Sequence, residues 1–342
     1  MRGRVSTIMV RSGQVVFLVL NIGKKVMAGL NRNESGFWIK IGIDSRPDPR
    51  EILLSSLLMV TLFVSNPTTA ADTGKREASY RDSDLARETV VGDTLNLLTI
   101  NMAHGRGTAM NQLLVSVPQH RKNLDEVAAL LVTSDADVIA LQEADAPSLW
   151  SGSFDHIEYL AEATGHRVSV HGYHADKWLY TYGAALLSRF KMSNVDSHHF
   201  APSWPTAGKG YVRGTLMWSN QNSVRPVTMV SVHLDFSRLS VRQAQVAELI
   251  GDLNGVRTPL IIMGDFNADW STEDSPVRVL ARAMDLRVFR PGFNGLGTYK
   301  DINRLDWILI SDELKFVEFA VRPDIVSDHL AVEAKIGWRQ KD

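Results

Sequence analysis

Several polar residues in this chain sit where short apolar runs stop, and their types suit acid–base and cation chemistry. Pro259 is followed by Leu260-Ile261-Ile262-Met263 and closed by Gly264, and the run delivers Asp265 and Asn267 to its C-terminal end. A carboxylate and a carboxamide two residues apart can point the same way. One takes a proton or binds a cation; the other holds a water or an anionic oxygen. Gly, Asp and Asn are also the residues of ordinary turns, so this pair alone leaves a bare loop open. Four further runs carry the same signal. Leu95 to Asn101 ends in a carboxamide, Val138 to Glu143 in a carboxylate, and Val227 to Leu234 carries His233, while Arg304 to Ser311 opens near Asp306. Ser327-Asp328-His329 sets an acid beside an imidazole before the last apolar segment. An Asp near a His fixes its tautomer and raises its basicity.

The elements that must position these groups follow from periodicity. Leu124, Val127, Ala128 and Leu131 recur at i, i+3, i+4 and i+7 and predict a helix over Arg121 to Val132. Val246, Leu249, Ile250 and Leu253 make a second helical stripe, with Ser240 and Gln243 spaced as a capping box. Each stripe lies between two apolar strands, so the chain holds a weak repeat of strand, helix, strand. Right-handed crossovers would put Asn101 and Glu143 on one edge, and His233 and Asp265 on another. Two such sheets packed face to face would bring all four to one rim. A core of satisfied strand ends would not need Asn, Glu, His, Asp and Asn all at this type of position. The expected class is therefore α/β, with ligands at the C-terminal ends of the strands, where loops diverge.

Taken together, Asn101 in Asn-Met-Ala-His-Gly, Leu-Gln-Glu143, Ser-Val-His233-Leu, Gly-Asp265-Phe-Asn267, Arg-Leu-Asp306-Trp-Ile-Leu and Ser-Asp328-His329-Leu-Ala-Val resemble the endonuclease/exonuclease/phosphatase superfamily. The resemblance covers about residues 94–338, in the family's order. It implies a four-layer sandwich, two face-to-face mixed β-sheets flanked by helices, and divalent-metal-dependent cleavage of phosphate esters. Carried over, Glu143 is the main Mg²⁺ ligand (Mn²⁺ being an alternative), with Asn101 beside it and Asp328 a second candidate. Asp265 would deprotonate or orient the attacking water, and Asn267 would hold that water or a phosphate oxygen. Asp306 and His329 form the dyad on the scissile phosphate. His233 stands where some members have His and others Tyr, and Arg213 falls near a position for phosphate contact. An anionic diester repels hydroxide until its charge is neutralised, and Mg²⁺ takes oxygen ligands, favouring one or two carboxylates plus waters.

Composition narrows the rest. The chain has 342 residues, 44% of them hydrophobic, and no cysteine. That removes disulfides, thiolate nucleophiles and cysteine zinc sites. Residues 1–71 hold 9 Lys or Arg against 4 Asp or Glu, leaving 28 against 34, a net of −6, in the remainder. An acidic body argues mildly against a non-specific nucleic-acid binder. Residues 1–51 carry no sustained period. Ile52 to Val64, an apolar run after Arg50 and before Ser65-Asn66-Pro67-Thr68-Thr69-Ala70-Ala71, reads as a secretory signal with cleavage near Ala70 or Ala71. It is shorter than the ~17–25 residues that span a membrane. The expected organisation is thus an extension with a signal over 1–71, a polar linker over 72–92 and a catalytic domain over 93–342. A monomer exported to the periplasm or beyond is expected. The middle, Asp145 to Tyr211, is rich in His, Tyr and Trp and is read equally as pocket lining or as a cap on the sandwich edge. The substrate expected is a phosphodiester, small-molecule or lipid headgroup. A secreted nuclease on DNA or RNA is the runner-up, and a non-catalytic binding module on the same fold comes behind it.

Overall fold

The computed structural model of the chain describes residues 6–10, 26–33, 36–43, 74–220, 223–300 and 302–340. They fall in two compact units, Met1–Thr68 and Thr69–Asp342. In the first, the strands Ser6–Val10, Gly36–Ile43 and Val26–Asn33 pair antiparallel in that order. This corrects the expectation of no pattern before residue 51. Phe37-Trp38-Ile39-Lys40-Ile41 is aromatic and β-branched, the composition that strands favour. The run Ile52 to Val64 and the expected cleavage near Ala70 or Ala71 lie outside the described residues.

The second unit is built on two mixed sheets of eight strands. One runs Leu314–Val321, Val332–Trp338, Thr94–Asn101, Val138–Asp145, Tyr180–Ser188, Val168–His171, Ser79–Asp82, with Ala175–Lys177 paired to Tyr180–Ser188. The other runs Leu286–Val288, Asp306–Ser311, Leu260–Asp265, Ser223–His233, Gly210–Asn220, Ser193–His199, Gly74–Arg76, with Thr89–Val91 beside Gly210–Asn220. Inside each lies one parallel pair joined through a helix. Thr94–Asn101 and Val138–Asp145 are joined through helix α1, Val117–Thr133. Ser223–His233 and Leu260–Asp265 are joined through a helix at Leu239–Leu253. The strand–helix–strand repeat is therefore the heart of both sheets. Two shorter helices, His156–Thr164 and Pro276–Ala283, complete the outer layers.

Alternation sends one set of side chains inward and the other outward. Leu95, Leu97, Val138 and Ala140 share the inter-sheet core with Val227, Met229, Ile261 and Met263. Leu98, Ile100, Ile139 and Leu141 face Leu124, Val127 and Leu131 of α1. Val230, Val232 and Ile262 face Val246, Leu249 and Leu253 of the Leu239–Leu253 helix. Strands buried on both faces must be apolar throughout, which is why they read as continuous runs. Each fully buried Val, Leu or Ile contributes about 1.5–3 kcal/mol.

Three boundaries differ from the sequence expectation. Helix α1 starts four residues early, because Ser116 Oγ accepts the Gln119 N–H and Pro118 fits the first turn. The Ser240/Gln243 capping box does not form. Asp235 Oδ1 instead accepts the N–H groups of Ser237 and Arg238 at 2.8 and 3.0 Å, and Gln243 reaches Asp274 at 3.3 Å. The stretch expected as a polar linker, 72–92, supplies Gly74–Arg76, Ser79–Asp82 and Thr89–Val91 to both sheets. Short edge strands with a polar outer face look like loops in sequence. Among the described residues, no helix is long and apolar enough to cross a membrane.

Candidate active site

Register alone assembles the rim. Asn101 stands opposite Gln142 in one sheet; in the other, His233 stands opposite Asp265, and Asp265 opposite Asp306. A buried polar layer ties the two sheets just beneath. Gln142 Nε2 donates to Ser231 Oγ at 3.1 Å across the interface, and Ser231 Oγ donates back to the Leu141 carbonyl at 3.1 Å. Above it opens a cavity of about 410 Å³ whose walls include Asn101, Glu143, His233, Asp265, Asn267, Asp328 and His329.

Asp265 is at the centre. Its Oδ2 accepts Asn101 Nδ2 at 3.0 Å from the opposite sheet and Asn267 Nδ2 at 3.2 Å, while Oδ1 accepts the Asn267 N–H at 2.8 Å. Asn267 adopts φ 48°, a left-handed conformation that Asn tolerates. Burial, and Asp306 after it, push the Asp265 carboxyl up to about 6 against the opposing pull of His329 and the two asparagines. His329 Nδ1 is 2.8 Å from Asp306 Oδ2, and its Nε2 lies 3.9 Å from Asp265 Oδ2. Burial works against protonation of His329, but Asp306 and then Asp265 outweigh it and raise its pKa to about 10. Thr298 Oγ1 donates to Asp306 Oδ2 at 2.6 Å and accepts the Leu305 N–H at 3.0 Å, which fixes the acid. Asp306 Oδ1 is buried without a partner.

Glu143 is aimed by a bulge. Ala144 pairs with Gly183 and Leu141 with Ala185, so Gln142 and Glu143 together oppose Ala184. Glu143 takes φ 48° at this point. His104 Nε2 lies 3.3 Å, Lys209 Nζ 3.7 Å and His233 Nε2 4.0 Å from its carboxylate oxygens. Burial opposes ionisation of Glu143, and His104, Lys209 and His233 overcome it, holding the carboxyl far below its ordinary range. His233, buried beside Lys209 Nζ at 3.0 Å, is driven well below the ordinary imidazole value, so it is neutral.

The donor chemistry suits a hard cation. Glu143 is ionised, faces the cavity and is approached by His104, Lys209 and His233. The ligand atoms of Asp265, Asp306 and His329 also lie within 4.8 Å of one another, a second place where an ion could sit. There, the 2.8 Å bond already engages His329 Nδ1 and Asp306 Oδ2, and Mg²⁺ prefers oxygen over imidazole. Carboxylate oxygens are thus offered to a cation at two places, by Glu143 on one side of the cavity and by Asp265 and Asp306 on the other.

Most expected site residues meet here, and one does not. Arg213 stands on Gly210–Asn220 opposite Val230, about 10 Å along the strand from the rim at Gly210 and His233. Its guanidinium pairs with Asp196 at 2.5 Å, on the face packed toward the Leu239–Leu253 helix. Lys209, one residue before that strand, does reach the Glu143 carboxylate. Asp328 lines the cavity, but its Oδ2 is taken by Arg106 at 2.6 Å. Unforeseen in the sequence were Gln142 as the inter-sheet bridge and the His104–Asp145 pair at 2.7 Å. The only signals were local: His104 three residues after Asn101, and Asp145 two after Glu143. In the His-rich middle, His171 bonds the Ala144 carbonyl, His174 sits between Ser197 and Ala184, and His198 stacks on Tyr211, and none of the three lines the cavity.

Known proteins share this architecture. The family model described as "Endonuclease/Exonuclease/phosphatase family" matches residues 98–329. An endonuclease/exonuclease/phosphatase family protein from Bacteroides thetaiotaomicron is similar at 16% identity and TM-score 0.54, over 72% of this chain and 98% of its own. The human Nocturnin catalytic domain with bound sulfate is similar at 15% identity and TM-score 0.54, over 77% and 98%. A mannosyl-6-phosphatase from Bacteroides thetaiotaomicron VPI-5482 is similar at 16% identity and TM-score 0.52, over 71% and 100%. No curated protein matches the chain in sequence.

Proposed function

The chain belongs to the endonuclease/exonuclease/phosphatase family, and from that premise we propose that it is a divalent-metal-dependent phosphodiesterase. The observation that carries the reading is Asp265, held between Asn101 of the opposite sheet and Asn267 of the loop after its own strand, in a cavity it shares with Glu143 and His329. Glu143, with the Asn101 carboxamide beside it, would hold Mg²⁺ or Mn²⁺, which supplies charge neutralisation at the phosphate. Asp328 can join only by giving up Arg106. Asp265 takes the proton of the attacking water, its two asparagine partners fixing which oxygen faces the substrate. A base titrating near 6 is well matched to neutral pH, and such a group contributes about 10²–10⁴-fold. His329, kept protonated by Asp306, gives its Nε2–H to a phosphoryl oxygen. Lys209 adds positive charge from below, and neutral His233 can donate one hydrogen bond.

A substrate panel tests this: a chromogenic diester and monoester, sphingomyelin, phosphoinositides, plasmid DNA and RNA, each with Mg²⁺ and with EDTA. Diester turnover abolished by EDTA is expected; no turnover of any phosphate ester would overturn the reading. Glu143→Gln is expected to abolish the Mg²⁺-dependent rate while leaving the melting temperature close to wild type. Full activity of that variant at saturating metal would remove Glu143 from the cation site. A nuclease is the second reading, since Arg106 lies on the cavity wall and Arg238 on the exposed surface. We also propose export, with the mature chain starting near Ala71 or Asp72. Mass spectrometry of the native protein showing a terminus upstream of Ile52 would refute that.

A further inference from the structure

His104 touches one Glu143 oxygen, Oε2, while Lys209 and His233 approach the other, and nothing in the reaction described above uses His104. Its Nε2 lies 3.3 Å from Glu143 Oε2, and its Nδ1 lies 2.7 Å from Asp145 Oδ1. Asp145 is fully buried, and its other oxygen accepts the Trp150 indole N–H at 2.7 Å. The imidazole is packed against Trp150 and Tyr182, with ring centroids 4.9 and 4.6 Å away. Its backbone is held as firmly. His104 sits at φ 56°, Ala103 N–H bonds Asn101 Oδ1 at 3.0 Å, and the Gly105 carbonyl accepts Asn123 Nδ2 at 2.9 Å. Non-glycine residues in this region cost about 1–3 kcal/mol each and persist where the surroundings over-determine them. Both His104 and Glu143 take such conformations, and the two side chains meet.

We propose that His104 is a positioning residue for Glu143: the Trp150–Asp145–His104 chain holds one carboxylate oxygen so that the other is presented to the cavity. The inference rests on the reading of Glu143 as the cation's carboxylate. It has a physical logic beyond contact. A free Glu side chain would have to be ordered each time a cation binds, and partners behind a ligand remove that cost. Three of the chain's members sit within eight residues of one another on and after the strand Val138–Asp145, and the fourth comes from the loop after Asn101. The two loops that carry the cation-side residues are thereby locked together.

The test is direct Mn²⁺ binding to the full chain by electron paramagnetic resonance, alongside the Mg²⁺ dependence of diester turnover. In His104→Ala the Mn²⁺ dissociation constant is expected to rise about tenfold or more, and half-saturating Mg²⁺ to rise with it, while kcat at saturating metal changes less. His104→Gln keeps a donor at about the same reach and is expected to recover most of the affinity. Trp150→Phe, which removes only the donor on Asp145, is expected to shift affinity in the same direction by a smaller factor. Equal or tighter binding in His104→Ala, or a fall in kcat with unchanged metal dependence, would overturn the proposal. If His104→Ala shows no melting transition, Trp150→Phe decides, and unchanged affinity there overturns the proposal. Wild-type protein that binds no Mn²⁺ would sink the metal reading and this inference with it, whereas failure of the variants alone sinks only the inference.

Discussion

Two residues decide how the candidate site responds to pH. Asp265 must be ionised to take a proton, and its raised pKa places the loss of activity where pH falls through about 6. His329 must be protonated to donate, so activity is lost as pH rises through about 10. A plateau of kcat/KM between these limits is expected. Asp306 is the first of the groups that raise His329, so Asp306→Asn should bring the alkaline limb down toward the ordinary imidazole value near 6.5 while leaving the acid limb within about a unit. A pH–rate profile of the two proteins checks this. An alkaline limb that does not move would show that His329 protonation is not what the reaction needs. The variant is also expected to be slower at its optimum, because Nδ1 loses the charge that orients the ring.

At the scale of elements, the parallel pair Ser223–His233 and Leu260–Asp265 is tightly constrained. Gly264 takes φ +146°, and a Cβ built there would stand 2.0 Å from the Val232 carbonyl oxygen. The strand cannot yield to that clash without pulling His233 and Asp265 out of register. Gly264→Ala is therefore expected to cost about 3 kcal/mol or more, combining backbone strain with overpacking. Chemical denaturation checks it; a loss under about 1 kcal/mol would mean that the two strands can slide. The edge strands matter in another way. Val90 is only 2% exposed, and Ala78 and Ala86 are buried with it. A chain cut at residue 92 loses three strands and uncovers core that the rest of each sheet cannot cover.

For the whole molecule, the compact unit Thr69–Asp342 holds both sheets and every residue of the site. Expressed alone, it is expected to melt in one transition and keep full diester turnover, whereas a 93–342 chain is expected to aggregate or lose several kcal/mol. Equal stability of the two would show that the strands within 74–91 contribute nothing. Charge acts at the same scale. With a net of −6 after residue 71, the body gains little from counterion release on a long nucleic acid. Turnover of DNA or RNA well above that of small diesters, falling steeply with salt, would replace the preferred substrate class with the runner-up.

The chemistry of the site was legible because it is written locally. Apolar runs, the helical stripes between them and the polar residue that ends each run are short-range patterns. A right-handed crossover then forces both strand ends of each unit to the same side. That places Asn101, Glu143, His233 and Asp265 at one rim, and the pairing of Asp306 with His329 followed from the family resemblance. What tertiary structure decided are matters of pairing across distance. Arg213 and Lys209 look alike in sequence, but only the register against Ser223–His233 shows that Lys209 is level with the rim and Arg213 is not. The bulge at Glu143 depends on Ala184, and His104 meets Asp145 across 41 residues. The strands within 74–91 have no apolar run of their own; they are strands because the sheets offer them unpaired edges. Local periodicity follows from backbone geometry, whereas register, bulges and edge pairing follow from partners far along the chain, which no short window contains.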